Sequence, residues 1–416
     1  MKKEYVVLSL DPMYSPLHEK IARLVAKEKY AVTSCLSKKV YLPTFPIHLA
    51  AALIGKISAA QAQPFYDKIR ELKTYHHAFA KKREHRELSE QEVAYMARFY
   101  VAIKAFIVEK QVDLVLVNND TRWHHAISIE VCRELGIRYL VTEQGLIRPH
   151  TTVIDPKGVN AYADIRFGNA DEVKGWIGEY PSFRPCDKHD SIRSMFFFLL
   201  FLIGFAAERW AGSKTVLRYL HNNYSLRKYG KRMVNRFKPR KKQCSTLAGN
   251  AALLLLQLEY DSQVLVHSSF ESNQEVIALI EEITQRQGMK LAIKAHPLDT
   301  AHYALSPSSY WVDGKVPELA EQAKVVFTIN SSAAIDVLRT NTPLILMGDS
   351  IYEHRGIASR LNWAAGADCI ANAASNTDAN ERCRFIDYLS HQYLLLGAGY
   401  SYSPEVLRDK LKTILQ

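Results

Sequence analysis

Short apolar runs alternate with longer amphipathic stretches along this chain, which is the rhythm of strands and helices in an α/β protein. Residues 6–10 (VVLSL) read as a buried strand. Asp11, Pro12 and Pro16 break that pattern, and residues 18–27 have helical spacing. Residues 59–110 read as mostly helical and polar. The run VDLVLV at 112–117 predicts a second strand, 128–135 a helix, and 138–142 a third strand, which is βαβ spacing. The rhythm stops over 181–245 and then resumes. Strands are predicted at 251–256, 290–294, 325–329 and 343–347, and helices at 273–287, 332–339 and 405–415. The predicted fold class is α/β, GT-B-like, with two Rossmann-like domains facing a cleft and joined by a helical, basic connector. The boundaries fall at 1–180, 181–245 and 246–416.

The connector changes the picture. It holds MFFFLLFLIGFAA at 195–207, shorter than the roughly 20 apolar residues a membrane-crossing helix needs. Two readings stay open for it: a buried helix between the domains, or a helix lying on a membrane surface. Residues 214–242 then carry a dense run of Lys and Arg with no acid, within a formal net charge of +11. An apolar segment beside such a run suits peripheral binding to anionic lipid. Nucleic acid is not expected as a partner, because the basic excess is confined to this segment and lacks interleaved aromatic platforms. The six cysteines are far apart with no CxxC spacing, so neither a disulfide framework nor a zinc site is expected, and a cytoplasmic setting is. The N-terminus reads as a first strand rather than a signal peptide.

Candidate chemistry clusters where loops should follow strands, at the ends where open α/β sheets bind ligands. Asp261 in QLEYDSQ is either a nucleophile toward an anomeric carbon or a helix cap. Glu143 in TEQGLIRP is a general acid/base or a partner in a structural ion pair with an Arg such as Arg148. Asp120 and Arg122 in NNDTR orient an acceptor or pair with Glu143. His124 and His125 have no metal-ligand spacing and are expected at the surface or behind the site. Lys294 and His296 in KAHP suit a phosphate or carboxylate. Asn330, Ser331 and Ser332 precede a predicted helix that Ser332 would cap, leaving N–H groups for phosphate. Glu353 and His354 in GDSIYEHRG would hold ribose hydroxyls or a base. No DxD or GxGxxG motif occurs, and no metal or cofactor is expected.

Taken in order, these motifs resemble those of the bacterial capsule polysaccharide β-Kdo transferases of the KpsS/KpsC type, the KpsS branch more closely. Asn119-Asp120-Thr121-Arg122 resembles that family's G-D-x-R loop. Glu143-Gln144-Gly145 with Arg148-Pro149 resembles its E-E-G-x-x-R-P, and Gly158-Val159-Asn160 its G-V-N. Gln257 to Gln263, Lys294 to Pro297 and Asn330 to Ser332 resemble its Q-x-x-x-D-S-Q, K-x-H-P and N-S-x. Gln144 departs from the pattern, standing where the family often has a second acid. The resemblance implies retaining transfer of Kdo from CMP-Kdo, with Asp261 forming a covalent adduct, Glu143 as acid/base, and His296, Ser331, Ser332 and Glu353 recognising CMP. Gln257 falls within the matching motif. The implied acceptor is an anionic lipid such as phosphatidylglycerol, or a Kdo-primed glycolipid, and other capsule-assembly proteins are further partners. The implied place is the cytoplasmic side of the inner membrane, peripherally bound. Competing readings are a transferase with another nucleotide-activated donor and a non-catalytic membrane scaffold of a capsule complex.

Overall fold

A computed structural model describes residues 4–12, 14–168, 188–212, 215–221, 230, 245–362 and 368–416. The chain divides into two compact units that are not contiguous in sequence. One takes its described residues from Met1–Asp164, Ser182–Arg236 and Leu394–Gln416, the other from Ile165–Pro181 and Phe237–Tyr393. The C-terminal helix Pro404–Leu415 therefore belongs with the N-terminal sheet, where Leu407, Leu411 and Leu415 join the core of Val7, Ile21, Leu114 and Leu140. Most of the basic run, 222–229 and 231–244, lies outside the described residues.

The first unit is built on a seven-stranded sheet. Its strands are β1 (Tyr5–Leu10), β2 (Ala26–Thr33), β3 (Ile47–Leu49), β4 (Leu114–Asn118), β5 (Arg138–Gln144), β6 (Thr151–Asp155) and the late strand β13 (Leu395–Leu396). The order is β13-β6-β5-β4-β1-β2-β3, with β1 to β5 parallel and β6 and β13 antiparallel to their neighbours. β4 is buried along its whole length, as a parallel strand covered on both faces must be. One expectation fails here. The helix predicted for 18–27 ends at Val25, and Ala26 starts β2 directly. The polar Lys27, Glu28 and Lys29 mimic a helix surface, but in β2 they lie at the solvated start of the strand, before the buried Ala31, Val32 and Thr33.

The second unit holds a six-stranded, all-parallel sheet. Its strands are β7 (Ala251–Leu255), β8 (Lys290–Lys294), β9 (Ser309–Trp311), β10 (Val325–Thr328), β11 (Leu344–Leu346) and β12 (Ser359–Arg360), in the order β12-β11-β10-β7-β8-β9. The run AALLL of β7 is fully buried. The helix Asn273–Arg286 covers one face through Val276, Ile277, Ile280 and Ile283. Both sheets have the doubly wound order. The chain reverses direction between β1 and β4 in the first unit and between β7 and β10 in the second, and at such switch points the loops splay apart. The expected α/β class with two Rossmann-like sheets is thus present.

Candidate functional site

In the first unit the NNDTR loop leaves β4 at its switch point. Asn119 takes a left-handed conformation (φ 65°), which an Asn tolerates better than most residues. Its Oδ1 accepts from the Thr121 N–H at 2.8 Å, and its Nδ2 donates to Glu143 Oε2 at 2.7 Å. Glu143 Oε1 accepts from the Gln144 N–H at 2.9 Å. Glu143 is half-buried and Gln144 exposed. The hairpin that follows requires Gly145, since a Cβ there would collide with Thr151. Arg148 is exposed and donates from Nε to the Gly145 carbonyl at 3.2 Å, so it braces the turn.

Asp120 is buried. Its Oδ2 accepts from the Val159 N–H at 2.7 Å, while Oδ1 has no hydrogen-bond partner. The Gly158-Val159-Asn160 segment is shaped around this carboxylate: a Cβ on Gly158 would come within 2.9 Å of Asp120 Oδ2. Asp155 holds the segment from below, accepting from the N–H groups of Lys157, Gly158 and Asp164. Burial pushes the Asp120 carboxyl up to about 7. The Val159 N–H opposes this, and the charges of Glu143 and Asp155 add to it. Arg122 precedes the helix Trp123–Leu135 as its N-cap residue.

His124 and His125 are both buried, which excludes the surface alternative and leaves the one behind the site. His125 Nδ1 lies 2.6 Å from the Asn118 carbonyl and 3.1 Å from that of Asn119, so Nδ1 carries the proton and supports the NNDTR loop from beneath. His124 Nε2 meets Asp11 Oδ2 at 3.1 Å, joining the ends of β1 and β4 across the switch point. Burial opposes ionisation of Asp11, but the Lys38 ammonium and the His124 contact outweigh it and hold the carboxyl well below its usual range. Asp11, His124 and His125 place their ligand-type atoms within 4.8 Å of one another. Those residue types could hold a divalent cation, but the Lys38 charge already compensates Asp11. Nothing in the sequence pattern signalled this network, because its members are far apart and Lys38 reads as a surface lysine.

The second unit gathers the other motifs at the carboxyl ends of its strands. Gln257, after β7, and Asn330, after β10, grip each other: Gln257 Nε2 donates to Asn330 Oδ1 at 3.1 Å, and the Asn330 N–H donates to Gln257 Oε1 at 3.0 Å. Asn330 Nδ2 also donates to the carbonyls of Gln263 and Asp349, both at 3.1 Å. Its amide is therefore occupied in holding three loops together. Gly348 fits beside it only without a side chain, since a Cβ would meet the His267 carbonyl at 2.7 Å. Asp261 caps the short helix Ser262–His267, with Oδ1 accepting from the Gln263 N–H at 2.9 Å.

The helix expected over 332–339 is only Ala334–Val337, and its N-cap residue is Ala333, which corrects the capping role given to Ser332. Instead Ser331 Oγ accepts from the Ala333 N–H at 3.2 Å. Lys294 Nζ donates to Asp313 Oδ1 at 2.9 Å. His296 Nδ1 accepts from the Leu298 N–H at 3.1 Å, so its proton sits on Nε2. Glu353 is exposed and pairs with Arg360 at 3.1 Å, which also holds Asp349 at 2.7 Å. His354 packs edge-on against Phe167 and at a tilt against Phe385, and burial lowers its pKa. It lines a polar cavity of about 590 Å³ with Arg355, Asn376, Asp378 and Glu381.

Residues 213–398 match the capsule polysaccharide biosynthesis protein family. The chain is 27% identical over 279 residues to the capsule polysaccharide export protein KpsS of Escherichia coli, covering 59% of this chain and 69% of that protein. Among solved structures, the β-Kdo 2,7 transferase of Thermosulfurimonas dismutans KpsC aligns with a TM-score of 0.40 and 14% identity over 99% of this chain and 100% of that one. The calicheamicin glycosyltransferase CalG4 aligns with a TM-score of 0.36 and 12% identity over 100% and 99%. The sequence matches bear out the family resemblance read from the motifs: the chain is similar to capsule polysaccharide biosynthesis proteins, KpsS among them.

Proposed function

We propose that this protein is a retaining glycosyltransferase that moves Kdo from CMP-Kdo to a lipid acceptor, phosphatidylglycerol or a Kdo-primed glycolipid, in capsule polysaccharide linker synthesis. It works as a peripheral protein on the cytoplasmic side of the inner membrane. The observation that carries the reading is the convergence of the Gln257, Asp261, Lys294, His296, Asn330 and Asp349 loops at the carboxyl ends of one parallel sheet, within the segment that matches the capsule family. Sugar donors with a nucleotide leaving group need cations, N–H donors and a carboxylate at such an edge.

In this reading Asp261 attacks the anomeric carbon of Kdo and CMP departs with the bonding pair. Glu143 then takes the proton of the acceptor hydroxyl as that oxygen displaces Asp261. Lys294 offsets part of the charge of the donor phosphate and of the Kdo carboxylate, and His296 donates a hydrogen bond to them. A single phosphate leaving group stabilised by such fixed donors requires no metal.

The test is incubation of the protein with CMP-Kdo and a fluorescent phosphatidylglycerol, followed by mass spectrometry. The expected product is the lipid carrying Kdo, with release of CMP. Thermal stabilisation by UDP or CDP but not CMP would redirect the reading to another donor. No stabilisation by any nucleotide and no product would leave a scaffold.

A further inference from the structure

The helix Lys188–Trp210 has two apolar faces, and among the described residues only one of them is packed within its unit. On the inner face Phe201, Leu202 and Phe205 are buried against Cys35 and Tyr41. Glu208 accepts from the N–H groups of Leu36 at 2.8 Å and Ser37 at 2.6 Å, fixing the helix to the start of the 3-10 turn Leu36–Val40. Lys38 of that turn is buried, with its ammonium 4.8 Å from the centre of the Phe201 ring and 5.3 Å from that of Tyr14. Gly204 lets the helix close on the turn, since a Cβ there would stand 3.1 Å from Ser37 Cβ.

On the outer face Ile192, Met195, Phe196, Leu199 and Ile203 are each half or more exposed, and Trp210 is 91% exposed. They recur at three- and four-residue intervals, which makes one stripe along the helix. A contiguous exposed row of large apolar side chains marks a contact surface. Arg193 and Arg209 lie on the same helix, and the acid-free basic run begins just beyond it.

We propose that this helix lies in the plane of an anionic bilayer, with the outer stripe in the acyl boundary; the Lys and Arg that follow in the sequence supply the electrostatic attraction to such a surface. The charge selects the occupant: a stripe continued by a run of cations fits an anionic lipid surface better than a second copy of a chain with net charge +11. The stretch Ser191–Trp210 is long and apolar enough to cross a membrane by composition, with mean hydropathy 1.7. Crossing would tear Phe201 and Phe205 from their packing, uncover the buried Lys38 and carry Glu208 into hydrocarbon, so the helix lies flat. Lys38 also sits beside Asp11, whose carboxylate contacts His124 under the NNDTR loop. The docking surface is thus built into the same unit as Asp120 and Glu143. The inference rests on the proposed glycosyl transfer only in taking that lipid surface as the source of the acceptor.

The experiment uses the full chain, with flotation on vesicles of phosphatidylglycerol and phosphatidylcholine or of phosphatidylcholine alone, at low and high salt. The expected result is binding to the anionic vesicles that weakens with salt, and at least tenfold weaker binding for Phe196→Glu/Leu199→Glu. That double variant should keep the melting temperature, since both side chains are already exposed. In the unaltered protein, emission from Trp210 should shift to the blue on anionic vesicles and be quenched by lipids brominated on the acyl chains, with Trp210→Phe identifying the signal. Unquenched Trp210, or equal binding by the double variant, overturns the proposal. So does a dimer in solution that the double variant dissociates, because a second copy then covers the stripe. Docking with no Kdo product from CMP-Kdo would remove the transferase reading and leave the surface in place. Kdo transfer to a short soluble acceptor without vesicle binding would do the reverse.

Discussion

Gln257 and Asn330 exchange two hydrogen bonds across the switch point of the second sheet, side-chain amide to side-chain carbonyl one way and backbone N–H to side-chain carbonyl the other. Both residues are buried, and Asn330 Nδ2 is also committed to the carbonyls of Gln263 and Asp349. The pair fixes where the loops carrying Asp261 and Asp349 leave the sheet.

Asn330→Asp would set a carboxylate oxygen against those two carbonyls in place of an amide donor. The expected cost is about 2–3 kcal/mol of folding stability, the range for leaving buried partners unsatisfied near a charge. Urea denaturation of the variant beside Asn330→Ser measures it. A loss below about 0.5 kcal/mol, the usual size of a surface change, would mean that the amide does not hold the loops.

Asp120 makes stability depend on pH. Its folded-state pKa is about 7, above the ordinary value of 3.8, so between those values the folded chain binds more protons than the unfolded one. Stability from this group is therefore complete below about pH 4 and is lost as pH rises through 7, by on the order of 2–4 kcal/mol. Asp120→Asn should remove that slope. Thermal melts of both proteins from pH 4 to 8 check it, and parallel pH dependences would show that Asp120 is ionised throughout.

The strands of both sheets were legible because a parallel strand covered on both faces must be apolar throughout, as in LVLV of β4 and AALLL of β7. β2 was not, since its charged first half imitates a helix surface. The candidate residues were found by their place after strands, yet their roles depend on hydrogen bonds that spacing does not encode. Asn330 looks like a ligand contact in sequence and is a clamp in the fold. Lys38, Asp11 and His124 sit in different segments, and only the strand order β2-β1-β4 brings them together. The apolar run at 195–207 left two readings open because one face of its helix is buried within the first unit and the other is exposed.

Asp261 caps a helix, so a loss of activity in Asp261→Ala could come from the cap alone. Serine caps as well as aspartate but cannot form the glycosyl ester expected of a carboxylate nucleophile. Asp261→Ser should thus keep wild-type stability while Asp261→Ala loses about 1 kcal/mol, and both should lose Kdo transfer by orders of magnitude. Near-normal turnover in Asp261→Ser would end the assignment of Asp261 as nucleophile.

His296 and Lys294 leave the end of β8 differently prepared for an anion. Lys294 already has a carboxylate partner in Asp313, so part of its charge is spent within the fold. His296 accepts the Leu298 N–H on Nδ1, which fixes the proton on Nε2 and the orientation of the ring. A pre-set donor loses little entropy on binding, so His296 should contribute more to CMP affinity than Lys294 does. His296→Ala is expected to weaken CMP binding by about 1–3 kcal/mol, the range of a charge-assisted hydrogen bond, with Lys294→Ala costing less. Asp313→Ala should strengthen CMP binding by releasing the lysine. Calorimetric titration with CMP ranks the three variants, and unchanged affinity in His296→Ala would take this residue out of the donor site.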